Sequence, residues 1–174
     1  MIRLKLLTRI ALFSSLIYIM SWVTSLYPNV NLIFFIVFSA GFLWGKTAGF
    51  FTGAIGMGLW TLFNPHGPAN PLTMLAQVVG AGSGAFCGAL FARINWKKSH
   101  LLLILLYLEI SAVICTFLFY LPVNLIDAWV YGPFWERFVG GMMFSSLSFF
   151  SNMIIFPILF PVTRYLYYVE KDRL

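Results

Sequence analysis

The chain has 174 residues, 61% of them hydrophobic and only 9% charged, with a mean hydropathy of +0.91. A soluble domain keeps roughly a quarter of its residues charged, so composition excludes that class and makes lipid the solvent. The net charge of +6 and pI near 9.6 do not call for nucleic acid, because cytoplasmic loops of membrane proteins collect Lys and Arg. A bilayer crossing takes about 20 apolar residues. Six crossings therefore use roughly 120 and leave only short loops, so residues 1–174 read as a single membrane domain.

Six apolar stretches follow in chain order. The first, 7–26, is preceded by Arg3, Lys5 and Arg9 and closed by Tyr27-Pro28-Asn29. Basic residues before an apolar run also begin a signal peptide. This run, however, exceeds the usual core of about 7–15 residues and reads as an uncleaved span. The second, 31–44, is short and ends at Gly45-Lys46; the third, 47–63, runs into Asn64-Pro65-His66-Gly67-Pro68-Ala69-Asn70. The fourth is 71–91, followed by Arg93, Lys97 and Lys98. The fifth, 101–121, is expected to break at Pro122, and the sixth to run from 138 to 162 before a charged tail. Barrel strands alternate in polarity over about ten residues, whereas these runs are apolar on every side. The expected fold is all-α, with six transmembrane helices.

Charge sets the orientation. With six spans, Arg3, Lys5, Arg9, Lys46, Arg93, Lys97, Lys98, Arg164, Lys171 and Arg173 share one side, and only Arg137 falls opposite. The positive-inside rule then places both termini in the cytoplasm, as in a multi-pass protein of a bacterial inner membrane. Small residues on the fourth span recur every fourth position, at Ala76, Gly80, Gly84, Gly88 and Ala92, beside a second stripe of Ala81, Ala85 and Ala89. Close backbone approach through small residues drives helix association in lipid, so this helix is expected at the centre. Gly49 and Gly53 mark a similar contact on the third span. Cys87 and Cys115 fall inside apolar stretches and read as small packing residues.

Polar residues inside or capping the spans are the candidates for function. The loop 64–70, outside by this topology, is stiffened by Pro65 and Pro68 and hinged at Gly67. Asn70 before Pro71 reads as an N-cap with a first-turn proline, which points the positive end of the fourth helix outward. Thr73 and Gln77, at i and i+4, lie on one face below it. Asn64, His66, Asn70, Thr73 and Gln77 thus form the expected rim and wall of a pocket; the plainer reading is a capped turn with Gln77 bonding a neighbour. Glu109 is the one acid deep in a span, where a charge costs at least about 2.5–3.5 kcal/mol. Thr116 and Tyr120 follow on its face and either line the same cavity or leave a neutral Glu109 bonded between helices. In the last outer loop, 122–137, Asn124, Tyr131 and Trp135 are further candidates, although Trp and Tyr at that level also form an interfacial belt. Ser145, Ser148, Ser151 and Asn152 on the last span read as glue between helices. Catalysis finds no phosphate loop, metal-spaced cluster or nucleophile with its base. His66 lies near the outer mouth and His100 at the cytoplasmic end of the fifth span. No cofactor is called for.

Pro28-Asn29-Val30, Gly41, Gly45, the Gly-rich third span, Asn64-Pro65-His66-Gly67-Pro68, Pro71-Leu72 and Ala76-Gln77 together resemble the substrate-binding S components of energy-coupling factor (ECF) transporters. The local match covers mainly residues 28–91, while length and helix number fit over the whole chain. The resemblance implies a subunit that captures a vitamin or related micronutrient at the outer face. It also implies partners: a transmembrane T component and two ABC ATPases, which would drive release inward. The pocket would be built from outer loops and the outward halves of the later helices. A small-residue motif on the first helix would dock the T component; its usual form is Ala-xxx-Ala, and here it departs to Ala11-xxx-Ser15. Two other readings stand beside this one. An MreD-like scaffold for cell-wall assembly has similar size and spans but no need of a pocket, and a small intramembrane enzyme would depend on Glu109 and His66 for turnover.

Overall fold

The computed structural model describes residues 2–27, 30–94 and 96–171. Pro28, Asn29 and Arg173, which figure in the resemblance and in the charge count above, lie outside them. The described residues form six α-helices and no strand: α1 (Ile2–Thr24), α2 (Ile33–Trp44), α3 (Lys46–Phe63), α4 (Pro71–Phe91), α5 (Leu101–Tyr131) and α6 (Phe134–Lys171). The all-helical expectation holds. Four of them, α1, α4, α5 and α6, are long and apolar enough to cross a membrane. Large apolar side chains such as Leu4, Leu12, Leu102, Phe144 and Ile158 are more than half exposed, as expected of a protein whose outer surface meets lipid.

The centre is α2, not α4 alone. Its 12 residues are apolar all round, and every residue from Ile33 to Phe42 is buried. A helix without a polar face belongs inside a bundle. In turn α1, α3, α4, α5 and α6 follow one another around it, each touching both α2 and the next in line. At about 18 Å, α2 is too short to cross the hydrocarbon layer, about 30 Å thick, but its neighbours shield its ends from lipid.

Small residues let α4 reach α2. A Cβ placed on Gly88 would collide with the Phe38 carbonyl oxygen, and one on Gly41 with that of Ala85. The two backbones are therefore in direct contact. The expected stripes divide by partner: Gly80 faces Phe119 of α5, Gly84 faces Cys115 of α5, and Ala81 faces Gly53 of α3. Above this crossing, α2 adds a ring cluster in which Phe38 meets Phe91 and Phe156 at centroid distances of 5.8 and 5.1 Å.

Two expected boundaries are corrected. Pro122 lies inside α5, which continues to Tyr131. A proline removes one backbone bond, yet membrane helices tolerate it where neighbours shield the freed carbonyl, and the residues beyond keep helical character. The outer loop expected at 122–137 shrinks to Gly132 and Pro133. The charged tail is also helical, so α6 runs 38 residues, or about 57 Å. Its far end is tied down by Glu170, which accepts from Trp44 Nε1 at 2.7 Å and pairs with Arg9 at 3.0 Å.

The same contacts bring the basic residues to one end. Trp96, 4% exposed, plugs that end: it meets Phe42 at 5.6 Å and Tyr167 at 5.5 Å, and carries the Arg164 guanidinium at 5.5 Å. Lys97 lies 4.6 Å from the Tyr167 ring. At the opposite end Arg137 pairs with Asp127 at 3.2 Å.

The α2–α4 contact gives a direct expectation. Gly88→Ala should destabilise the protein by about 1–3 kcal/mol, the usual cost of forcing a methyl into a filled contact. Gly140→Ala, in α6 with nothing within 4 Å of the added carbon, should be neutral or stabilising by up to about 1 kcal/mol from helix propensity. Thermal unfolding in one detergent compares them, and equal melting temperatures would refute the backbone contact.

Candidate functional site

The expected pocket residues separate into two groups. The first belongs to the α3–α4 connection. Asn64 closes α3: its Nδ2 donates to the carbonyls of Trp60, Thr61 and Gly67 at 3.1, 3.3 and 2.9 Å, and its Oδ1 accepts from the His66 amide at 2.8 Å. Its polar atoms are thus spent on the turn, which reverses at Gly67 with φ +88°. Asn70 caps α4 as expected, its Oδ1 accepting from Leu72 N at 3.0 Å with Pro71 in the first turn. Gln77 Oε1 accepts from Thr61 Oγ1 at 2.6 Å and ties α4 to α3. Thr73 is 9% exposed, and its Oγ1 is buried with no partner among the described residues. His66 is exposed at the tip.

The second group is a ladder of hydrogen bonds inside the bundle, where α5 and α6 run antiparallel. Asn124 Nδ2 donates to Ser145 Oγ at 3.0 Å. Tyr120 Oη lies 2.8 Å from Ser148 Oγ and accepts from Asn31 Nδ2 at 2.9 Å, which brings in the chain just before α2. Deepest, Asn152 Nδ2 donates to Thr116 Oγ1 at 3.0 Å. The spacing explains the register: Thr116, Tyr120 and Asn124 recur every four residues on α5, and Ser145, Ser148 and Asn152 every three or four on α6, so each set forms one stripe. Thr116, Ser148 and Asn152 are fully enclosed. The Asn152 Oδ1 has no partner among the described residues.

Glu109 lies on the same α5 stripe, about two turns further in than Thr116. It is half-buried, with Oε2 enclosed and unpartnered among the described residues. Tyr131 and Trp135 stand apart at the far end, 52% and 70% exposed; the Arg137 guanidinium lies 5.4 Å from the Tyr131 ring. On α1, Ser14 Oγ donates to the Thr52 carbonyl at 3.0 Å and Ile17 is fully buried, so that face packs on α3. Ala11 and Ser15 lie on another face and are exposed.

Sequence reasoning missed Asn31 altogether and read Asn152 only as glue between helices. Asn31 read only as the start of the second apolar run, and nothing local signals a bond to Tyr120, 89 positions away. Chemically the ladder offers neutral hydroxyls and amides, which can hold a ligand by hydrogen bonds. Among the described residues no group of His, Cys, Asp and Glu is placed to bind a metal, and both cysteines are free thiols.

Fold and site together define an all-helical protein whose apolar helices suit a membrane-embedded chain. Comparison with known protein families, curated proteins and solved structures finds no match.

Proposed function

We propose that the chain is the membrane-embedded substrate-capture subunit of an ECF-type uptake transporter, taking up a vitamin or related micronutrient without catalysis of its own. It would sit in a bacterial inner membrane, cross it six times, and keep both termini in the cytoplasm. A transmembrane T component and ABC ATPases would supply the energy. The observation that carries this reading is the Asn152 side chain. It is fully enclosed in an apolar bundle, and its carbonyl oxygen has no partner among the described residues. Buried polar atoms are nearly always satisfied, and in lipid an unsatisfied one costs several kcal/mol. If the ladder only glued helices, a smaller or apolar residue would serve better at 152. An unpartnered acceptor enclosed at the foot of a ladder of donors and acceptors suits a ligand that donates a hydrogen bond. The exposed Ala11 and Ser15 face is a surface where a partner helix can approach closely.

Orientation follows from the gathering of basic residues at one end and the positive-inside rule. Single cysteines at positions 66 and 131 should react with an impermeant maleimide in intact cells, and those at 46 and 97 only after permeabilisation. Labelling of position 97 in intact cells would overturn the six-span topology.

A crossed pair of variants tests the capture role. Asn152→Leu should keep the fold and the partner pull-down but weaken vitamin affinity, read from the ligand dependence of thermal stabilisation, several-fold to about tenfold, the loss of one hydrogen bond. Ala11→Leu with Ser15→Leu should keep the stabilisation and lose the T component. A scaffold would show neither vitamin response nor ATPase partners, and would copurify with cell-wall proteins instead.

A further inference from the structure

We propose that a cleft at the basic end of the bundle binds the phosphate headgroup of an anionic phospholipid. The cleft, about 460 Å³, opens where α2 ends, α3 begins and α4 ends, and its walls include Phe42, Trp44, Lys46, Thr47, Ala92 and Arg93. Lys46 and Arg93 come from different helix ends and are both exposed. Several other charges are engaged: Arg9 is paired with Glu170 and Arg137 with Asp127, while Lys97 and Arg164 lie over aromatic rings. Lys46 and Arg93 differ from the remaining basic residues in lining this cleft together. Lys46 and Arg93 have no carboxylate partner among the described residues. Two cations lining one cleft suit a phosphate, which Arg binds in a planar fork and Lys as a point charge.

A second cleft makes the anion a lipid. It measures about 320 Å³, shares Lys46 and Thr47 with the first, and continues past Phe50 and Phe86. Phe86 is 45% exposed on the flank of α4. A soluble phosphate has no use for an apolar groove beside its site, whereas a phospholipid lays an acyl chain there. The setting agrees: the chain carries 11 Lys and Arg against 5 Asp and Glu, and basic pockets between membrane helices at the cytoplasmic side recognise anionic headgroups. The inference needs the bilayer but not the capture role.

The test uses the full chain in nanodiscs of phosphatidylcholine with phosphatidylglycerol, followed by detergent exchange and native mass spectrometry. The wild type should retain phosphatidylglycerol in preference to phosphatidylcholine. Lys46→Gln with Arg93→Gln should retain roughly twenty-five-fold less, since each basic residue near an anionic surface contributes a factor of about five. Lys98→Gln with Lys171→Gln removes the same charge from the same end and should retain as the wild type does. Phe86→Gln should lower lipid retention and leave the protein's melting temperature in inorganic phosphate unchanged. Lys46→Arg with Arg93→Lys, which keeps both charges, should retain the lipid and controls for folding. Equal retention by the Lys46/Arg93 glutamine variant overturns the proposal, as does equal loss in the Lys98/Lys171 variant, which would mean diffuse charge. Stabilisation by inorganic phosphate equal to that by phosphatidylglycerol would make the ligand a soluble anion. A cleft built for an acidic segment of a partner protein would show no lipid preference. Either result overturns it.

Discussion

Contact between the backbones of α2 and α4 is the constraint on which the bundle rests. At 12 residues, α2 cannot span a bilayer alone, and it has no polar face with which to meet water. Its place is inside, where α4 can reach it only because glycine stands at 41 and 88. In lipid, apolar area gives helices little reason to associate, so this close approach and its dispersion contacts hold the centre. The other four helices then have a fixed post to surround, and the antiparallel order α5–α6 follows from the two-residue turn at Gly132 and Pro133.

Polar residues are the second organising force. Hydrogen bonds between membrane helices average only about 0.6 kcal/mol, so the three rungs between α5 and α6 set register more than they add stability. The same economy makes Asn152 and Thr73 informative. Asn152 at the foot of the ladder, and Thr73 on α4 outside it, each bury an oxygen without a partner among the described residues. The basic end is organised differently. There Glu170, Trp44, Trp96 and Tyr167 tether α1, α2, α6 and the α4–α5 turn through charge and ring contacts, which suits the polar boundary of a membrane.

Helix number, the Asn70 cap and the role of the α4 stripe were legible in the sequence, because each depends on neighbours within a turn or two. The central place of α2 was not: the stripes on the fourth helix pointed to that helix as the centre, and only the burial of every side of α2 shows why a short helix belongs there. Pro122 misled, since a breaker in water is tolerated where neighbouring helices cover the freed carbonyl. The charged tail misled in the opposite sense, because Arg9 and Trp44, more than 120 positions from Glu170, hold it helical. The candidate site divided for the same reason. Thr116, Tyr120 and Asn124 share a stripe and stayed together, but spacing along α3 and α4 could not reveal that Gln77 bonds Thr61 or that Asn64 is consumed by its own turn.

The proposed capture role rests on the enclosed, unpartnered Asn152 oxygen at the foot of the polar ladder. The most direct test is native mass spectrometry of the chain purified in mild detergent and never exposed to added ligand. The account expects a small molecule of vitamin size retained at one per chain and released on unfolding. A folded chain that carries no such molecule, and that brings down cell-wall proteins rather than ATPases, would contradict it.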